Sequence, residues 1–123
     1  METGPVKPWH LDRVPTCPLV MTLNILGGKW KPLILHRLAS GTLRFGELRK
    51  RIPAVSQKML TQQLRELEAD GMIVRTVFPE IPPRVEYSLS SRGLSLRPLL
   101  DQLYRWGQTE LMSEEAPADK SWS

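Results

Sequence analysis

The apolar positions of the chain recur mostly at helical spacing, with one interruption by alternating strands. Leu19, Leu23 and Leu26 form a first stripe that Gly27-Gly28 ends. Thr16 is placed to cap this helix, and Pro18 falls in its first turn, where a missing N–H costs nothing. Trp30, Leu33, Ile34 and Leu38 predict a second helix over about 29–39, with Pro32 in its first turn and Ser40-Gly41 at its end. Thr42-Leu43-Arg44 reads as a short extended piece. Phe45, Leu48 and Ile52 then predict a brief third helix that Pro53 must close.

The fourth helix carries the clearest signals. Ser56 is its expected cap, and Gly71 is placed to receive its C-terminus after Asp70. Val55 and Leu60 stand at the two positions of a hydrophobic staple, while Met59 leaves the reciprocal capping box incomplete. Beyond it, the β-branched run Met72–Phe78 and the alternation of Val85, Tyr87 and Leu89 predict two strands. The intervening Pro79-Glu80-Ile81-Pro82-Pro83-Arg84 excludes regular structure, so the pair is a hairpin with a stiff tip. A last helix opens at Ser90 or Ser91. Leu96, Leu99, Leu100, Leu103 and Trp106 share one of its faces, with Pro98 expected to kink it, and the pattern fades after Gly107.

The order helix, helix, short strand, helix, tight turn, helix, hairpin describes a winged helix-turn-helix: a mainly α fold with a small β-hairpin wing. Its 123 residues suit one domain. We divide them into a flexible arm over 1–14, a winged helix-turn-helix domain over 15–108, and a disordered tail over 109–123.

Charge sharpens this picture. From Lys29 to Arg65 there are nine basic residues against one acid, Glu47. A basic block inside a folded segment suits a polyanion, although a solvated charged surface would look the same. The fourth helix separates the two readings. At about 100° per residue, Leu60, Leu64 and Leu67 fall on one face, and Lys58, Thr61, Gln62 and Arg65 on the other. Arg and Gln can pair bidentately with base edges, Thr offers a hydroxyl and a methyl, and Lys brings a mobile charge. Ser56, Gln57 and Lys58 lie at the helix end whose unpaired N–H groups favour phosphate. Arg84, behind two prolines, is expected at or near the wing tip, facing a phosphate or the minor groove, or else simply keeping the loop soluble.

Other classes find little support. No Ser/His/Asp or Cys/His motif, phosphate-binding glycine loop or evident carboxylate pair points to an enzyme, and His36 reads as structural or solvated. One cysteine and two histidines make a disulfide framework or zinc site an unsuitable reading, and no cofactor is implied. The absence of a signal-like start or a long apolar run suits a soluble cytoplasmic protein without membrane contact. The alternative to a regulator is a winged helix used for protein–protein interaction, which a basic, amide-rich fourth helix disfavours.

Several short motifs resemble the HxlR-type regulators: Cys17-Pro18, Gly27-Gly28-Lys29-Trp30, Arg44-Phe45-Gly46-Glu47-Leu48, Ser56-Gln57-Lys58-Met59-Leu60-Thr61, Leu64-Arg65-Glu66-Leu67-Glu68, Pro82-Pro83-Arg84-Val85-Glu86-Tyr87 and Trp106-Gly107. The resemblance spans Cys17 to Gly107. It implies a homodimer of the broader MarR-like group, binding double-stranded DNA at a roughly palindromic operator. The outer helices would form its interface through Leu19, Leu96, Leu99, Leu100, Leu103 and Trp106. A leucine face larger than one small domain needs agrees with that. The resemblance further implies that Cys17 can sense a small electrophile or oxidant, as the matching cysteine does in some members. Cysteine in a first helical turn, facing unpaired N–H groups, suits such chemistry; a small buried side chain is the competing reading. Lys29, within the Gly-Gly-Lys-Trp motif, would help a helix N-terminus hold a phosphate, with Trp30 serving the core.

Overall fold

Five helices and three strands occupy residues 17–112, the part of the chain that the computed structural model describes. They are α1 (Pro18–Leu26), α2 (Trp30–Leu38), β1 (Leu43–Arg44), α3 (Phe45–Lys50), α4 (Gln57–Ala69), β2 (Ile73–Phe78), β3 (Arg84–Leu89) and α5 (Ser91–Leu111). The arm over 1–14, the Thr16 cap and the tail beyond 112 lie outside the described residues. Mostly helical and completed by a small antiparallel sheet, the architecture is the winged helix-turn-helix that the apolar spacing predicts.

The core forms where the helical stripes converge. Ile34, Leu35 and Leu38 of α2, Leu48 of α3, and Leu60, Leu64 and Leu67 of α4 are all buried, with Met72, Ile73, Tyr87 and Leu100 closing the cluster. Each side chain so placed contributes roughly 1.5–3 kcal/mol relative to exposure. Gly71 takes φ +75° after α4, the left-handed turn that a side chain would strain.

The sheet has one strand more than the expected hairpin. β3 pairs with β2 from Ile73↔Leu89 to Phe78↔Arg84, and its other edge takes β1 through Leu43↔Tyr87 and Arg44↔Glu86. This ties the base of the wing to the residue that opens α3. There, Arg44 N–H donates to the Glu47 carboxylate at 2.8 Å, capping the helix from its own first turn.

Two helix ends differ from expectation. α3 stops at Lys50 rather than at Pro53, because the chain tightens earlier. Arg51 and Ile52 N–H donate to the Leu48 and Arg49 carbonyls at 3.0 and 3.1 Å, and Val55 N–H to Ile52 at 3.1 Å. These turns drop Ile52 and Val55 into the core. α5 runs through Pro98 and on past Gly107 to Leu111. A single glycine costs about 1 kcal/mol in a helix and does not stop one.

The start of α5 is fastened to the end of α4. Ser90 N–H donates to the Met72 carbonyl at 3.0 Å, its hydroxyl to the Gly71 carbonyl at 2.6 Å, and Arg92 to the Asp70 carbonyl at 3.2 Å. The same Ser90 oxygen accepts the Gly93 N–H at 3.0 Å. Gly93 is buried in this corner, and a Cβ there would overlap the Met72 carbonyl oxygen. Gly93→Ala should therefore cost about 1–3 kcal/mol by overpacking. Urea unfolding checks it: a lower midpoint at unchanged slope is expected, and an unchanged midpoint would mean the corner yields freely.

Candidate nucleic-acid interface

The burial of Leu60, Leu64 and Leu67 leaves the opposite side of α4 facing solvent. Gln57, Lys58, Thr61, Gln62 and Arg65 line one open recess of about 550 Å³ on that side. The structure thus brings together five of the residues singled out on α4. Ser56 holds the helix start: its backbone is extended (φ −76°, ψ 158°), its hydroxyl accepts the Met59 N–H at 3.0 Å, and its carbonyl begins the helical ladder to Leu60. Val55 and Leu60 are both buried beside it, as a staple requires. Among the described residues, neither Lys58 nor Arg65 has a carboxylate within ion-pair distance.

Gln62 is already engaged on one side. Its amide donates to Glu66 at 3.3 Å, and Glu66 also accepts Lys31 of α2 at 2.6 Å. The Lys31 contact, followed by the Gln62 amide, holds the Glu66 carboxyl below the usual carboxylate range. A carboxyl lowered in the folded state stabilises fully above the ordinary carboxylate value, and that contribution is lost as pH falls through the lowered one. On a half-exposed pair the stabilising effect is small. Its positional effect is larger: α2 is pinned to α4, and the acid next to the polar face of α4 is paired with a cation. Gln62 keeps a second amide proton and its carbonyl oxygen, the pair of groups that adenine recognition uses.

A second recess of about 330 Å³ adjoins the first, bordered by Thr61, Leu64, Arg65, Glu68, Arg75 and Tyr87. Arg75 of β2 is exposed there and has no ion pair among the described residues. Sequence reasoning missed it. The signal was available, since Arg75 stands two residues after the buried Ile73 and so on the sheet face turned to α4.

Arg84 differs most from its expected setting. It is the first residue of β3 rather than the tip, with a side chain 28% exposed. Its guanidinium pairs with Glu80 at 3.1 Å and Glu86 at 3.5 Å and lies 4.0 Å over the Phe78 ring. Its charge is spent within the hairpin.

Lys29 stands at the N-cap position of α2 without a side-chain capping bond and is exposed, with Nζ 4.8 Å above the Trp30 ring, and it does not border the α4 recess. Trp30 packs against the core. His36 is half-buried, stacks on Tyr104 at 4.7 Å and bonds Arg37 through Nδ1 at 2.9 Å, a structural role.

Cys17 precedes α1 as its N-cap residue, one position before the expected first turn, and is exposed rather than buried. α1 itself shows Leu19 64% and Leu23 56% exposed, with only Leu26 buried. On α5, Leu99, Leu103 and Trp106 are exposed and Leu96 is half-buried. Leu100 instead sits in the core of the single chain, because it lies at the edge of the stripe turned towards α2.

Among the described residues, no helix is long and apolar enough to cross a membrane. Residues 25–115 match the HxlR-like helix-turn-helix family. An uncharacterized HTH-type transcriptional regulator of Methanothermobacter thermautotrophicus is 48% identical over 105 residues, covering 85% of this chain and 80% of the relative. The redox regulator HypR in its reduced form superposes with a TM-score of 0.74 at 45% identity, over 76% of this chain and 93% of that one. Its oxidised form gives 0.72 at 46% identity, over 76% and 96%.

Proposed function

The chain belongs to the HxlR-like helix-turn-helix family of transcription regulators, and from that premise we propose that it reads a roughly palindromic operator as a cytoplasmic homodimer switched at Cys17. The observation that carries this reading is the solvent face of α4. Gln57, Lys58, Thr61, Gln62 and Arg65 stand together on a rigid helix whose opposite face is fully buried. In the major groove, Arg65 and Gln62 read base edges, Thr61 meets a thymine methyl or a phosphate, and Ser56, Gln57 and Lys58 meet phosphate at the helix start. Arg75 adds a phosphate contact from the wing side, and Lys29 a more distant one. Arg84 serves chiefly to brace the wing.

A second copy covers the apolar faces of α1 and α5. Leu19, Leu99, Leu103 and Trp106 supply most of that interface, and Leu96 its margin. A two-fold dimer presents two α4 helices to half-sites about one helical turn apart. Cys17 lies beside this interface as the chain's sole cysteine, so a disulfide through it needs the partner copy. Hydrogen peroxide takes two electrons from two Cys17 thiols, forming one S–S bond and releasing two waters. A quinone-type electrophile instead forms an S–C bond, the thiol proton passing to the quinone oxygen. Either product changes the α1–α5 packing that sets the spacing of the α4 helices. The similarity to a redox regulator supports this switch.

Arg65→Ala or Gln62→Ala should relax preference at one base pair per half-site, by about 1–3 kcal/mol. Binding measured on single-substituted operators checks it, and undiminished discrimination in both variants would remove the assignment of α4. Oxidant titration of DNA binding should show a response in the wild type that Cys17→Ser lacks. Identical titration curves would rule out the switch while leaving the operator reading intact.

A further inference from the structure

A wing that grips phosphates needs free positive charge at its tip, and this one has none. The tip is Pro79, Glu80, Ile81, Pro82 and Pro83, all exposed. Its single ionisable residue, Glu80, is paired with Arg84 at 3.1 Å, and Glu86 takes the other side of the same guanidinium at 3.5 Å. Phe78 stacks beneath that charge. The cluster braces the hairpin just beneath the loop, and the nearest cation without an ion pair among the described residues is Arg44 of β1, which borders the same recess as the tip but is not part of it. What the tip does present is apolar. Ile81 is 102% exposed, which makes it the most exposed of the large hydrophobic residues described. Two prolines follow it directly, so little conformational freedom remains to be lost on docking.

The position of the hairpin says what such a tip meets. β2 leaves the C-terminal corner of α4 at Gly71-Met72, and six strand residues at about 3.3 Å each carry the tip roughly 20 Å from that corner. With α4 in the major groove, the neighbouring groove along the duplex is the minor one. At about 6 Å wide it excludes a helix but admits a narrow loop.

We propose that Ile81 is an apolar wedge that enters the minor groove beside each half-site. It thereby supplies a sequence preference in the flank that α4 does not touch. The inference rests on the assignment of α4 as the reading helix. An aliphatic side chain there is obstructed by the exocyclic amino group of guanine and welcomed by A·T pairs. Partial insertion is least costly at pyrimidine–purine steps, which unstack easily. The wedge therefore favours an A·T flank containing a TpA step, and it does so without adding a salt-dependent contact.

The test begins by selecting a duplex with the full-length protein from a randomised library. Binding of wild type, Ile81→Ala and Ile81→Lys is then measured on that duplex and on one whose flank alone is changed to G·C. The wild type should lose about tenfold on the G·C flank, and Ile81→Ala should bind both duplexes at that weaker level. Its salt slope should match the wild type, because no phosphate contact is removed. Ile81→Lys should fail to restore the flank preference. Equal affinity and equal flank preference in wild type and Ile81→Ala would overturn the wedge, as would a Lys variant that restores the preference with a steeper salt slope. A wild type that selects a half-site core but is indifferent to the flank removes the wedge alone. Failure to select any sequence removes the operator reading with it. Ile81 touches no core residue, so circular dichroism of both variants should match the wild type.

Discussion

Burial of Leu60, Leu64 and Leu67 against the α2, α3 and sheet side chains fixes the rotation of α4 about its own axis. Because side chains turn by about 100° per residue, that one constraint decides which residues face water. A rotation of a single position would turn Arg65 inward and leave a leucine in solvent. The cost is roughly 1.5–3 kcal/mol for each leucine exposed, with the desolvation of a charge in addition. The face bearing Lys58, Thr61, Gln62 and Arg65 is thus set by the core beneath it. Ser56 at one end and Gly71 at the other then fix how far along its axis the helix extends.

Two contacts make this helix part of a larger lever. Lys31 joins α2 to Glu66, and the Ser90 and Arg92 bonds join the start of α5 to the last carbonyls of α4 and the turn that follows. A change of packing along α2 or α5 therefore meets a helix that is tied to both. The exposed leucines of α1 and of the outer edge of α5 are apolar surface that the described residues leave uncovered, which favours the second copy proposed above.

Much of this was legible in the sequence, for a definable reason. The α4 phase, the Ser56 cap, the Gly71 turn and the proline-rich loop depend on residues a few positions apart, where spacing alone carries the information. The features that escaped depend on how strands and helices come together in the fold. Arg84 was read as a free charge because Glu80, Glu86 and Phe78 converge on it only once the hairpin pairs. Leu100 was grouped with its exposed neighbours because a wide apolar stripe has two edges, and only the fold shows which edge meets the core. β1 gained its partner from a strand some forty residues later, a pairing that two residues cannot signal by themselves. Arg75 was hidden in a β-branched run whose faces had not been assigned.

The central claim, that α4 lies in the major groove of successive half-sites, is tested most directly by placing a DNA-cleaving reagent on its outer face. An iron chelate attached at Thr61→Cys, in a Cys17→Ser background, cuts the sugars nearest that position. The account predicts two cleavage clusters on a bound operator, about one helical turn apart and displaced towards the edges of the major groove. Diffuse cutting along the duplex, or clusters centred on the minor groove, would contradict it.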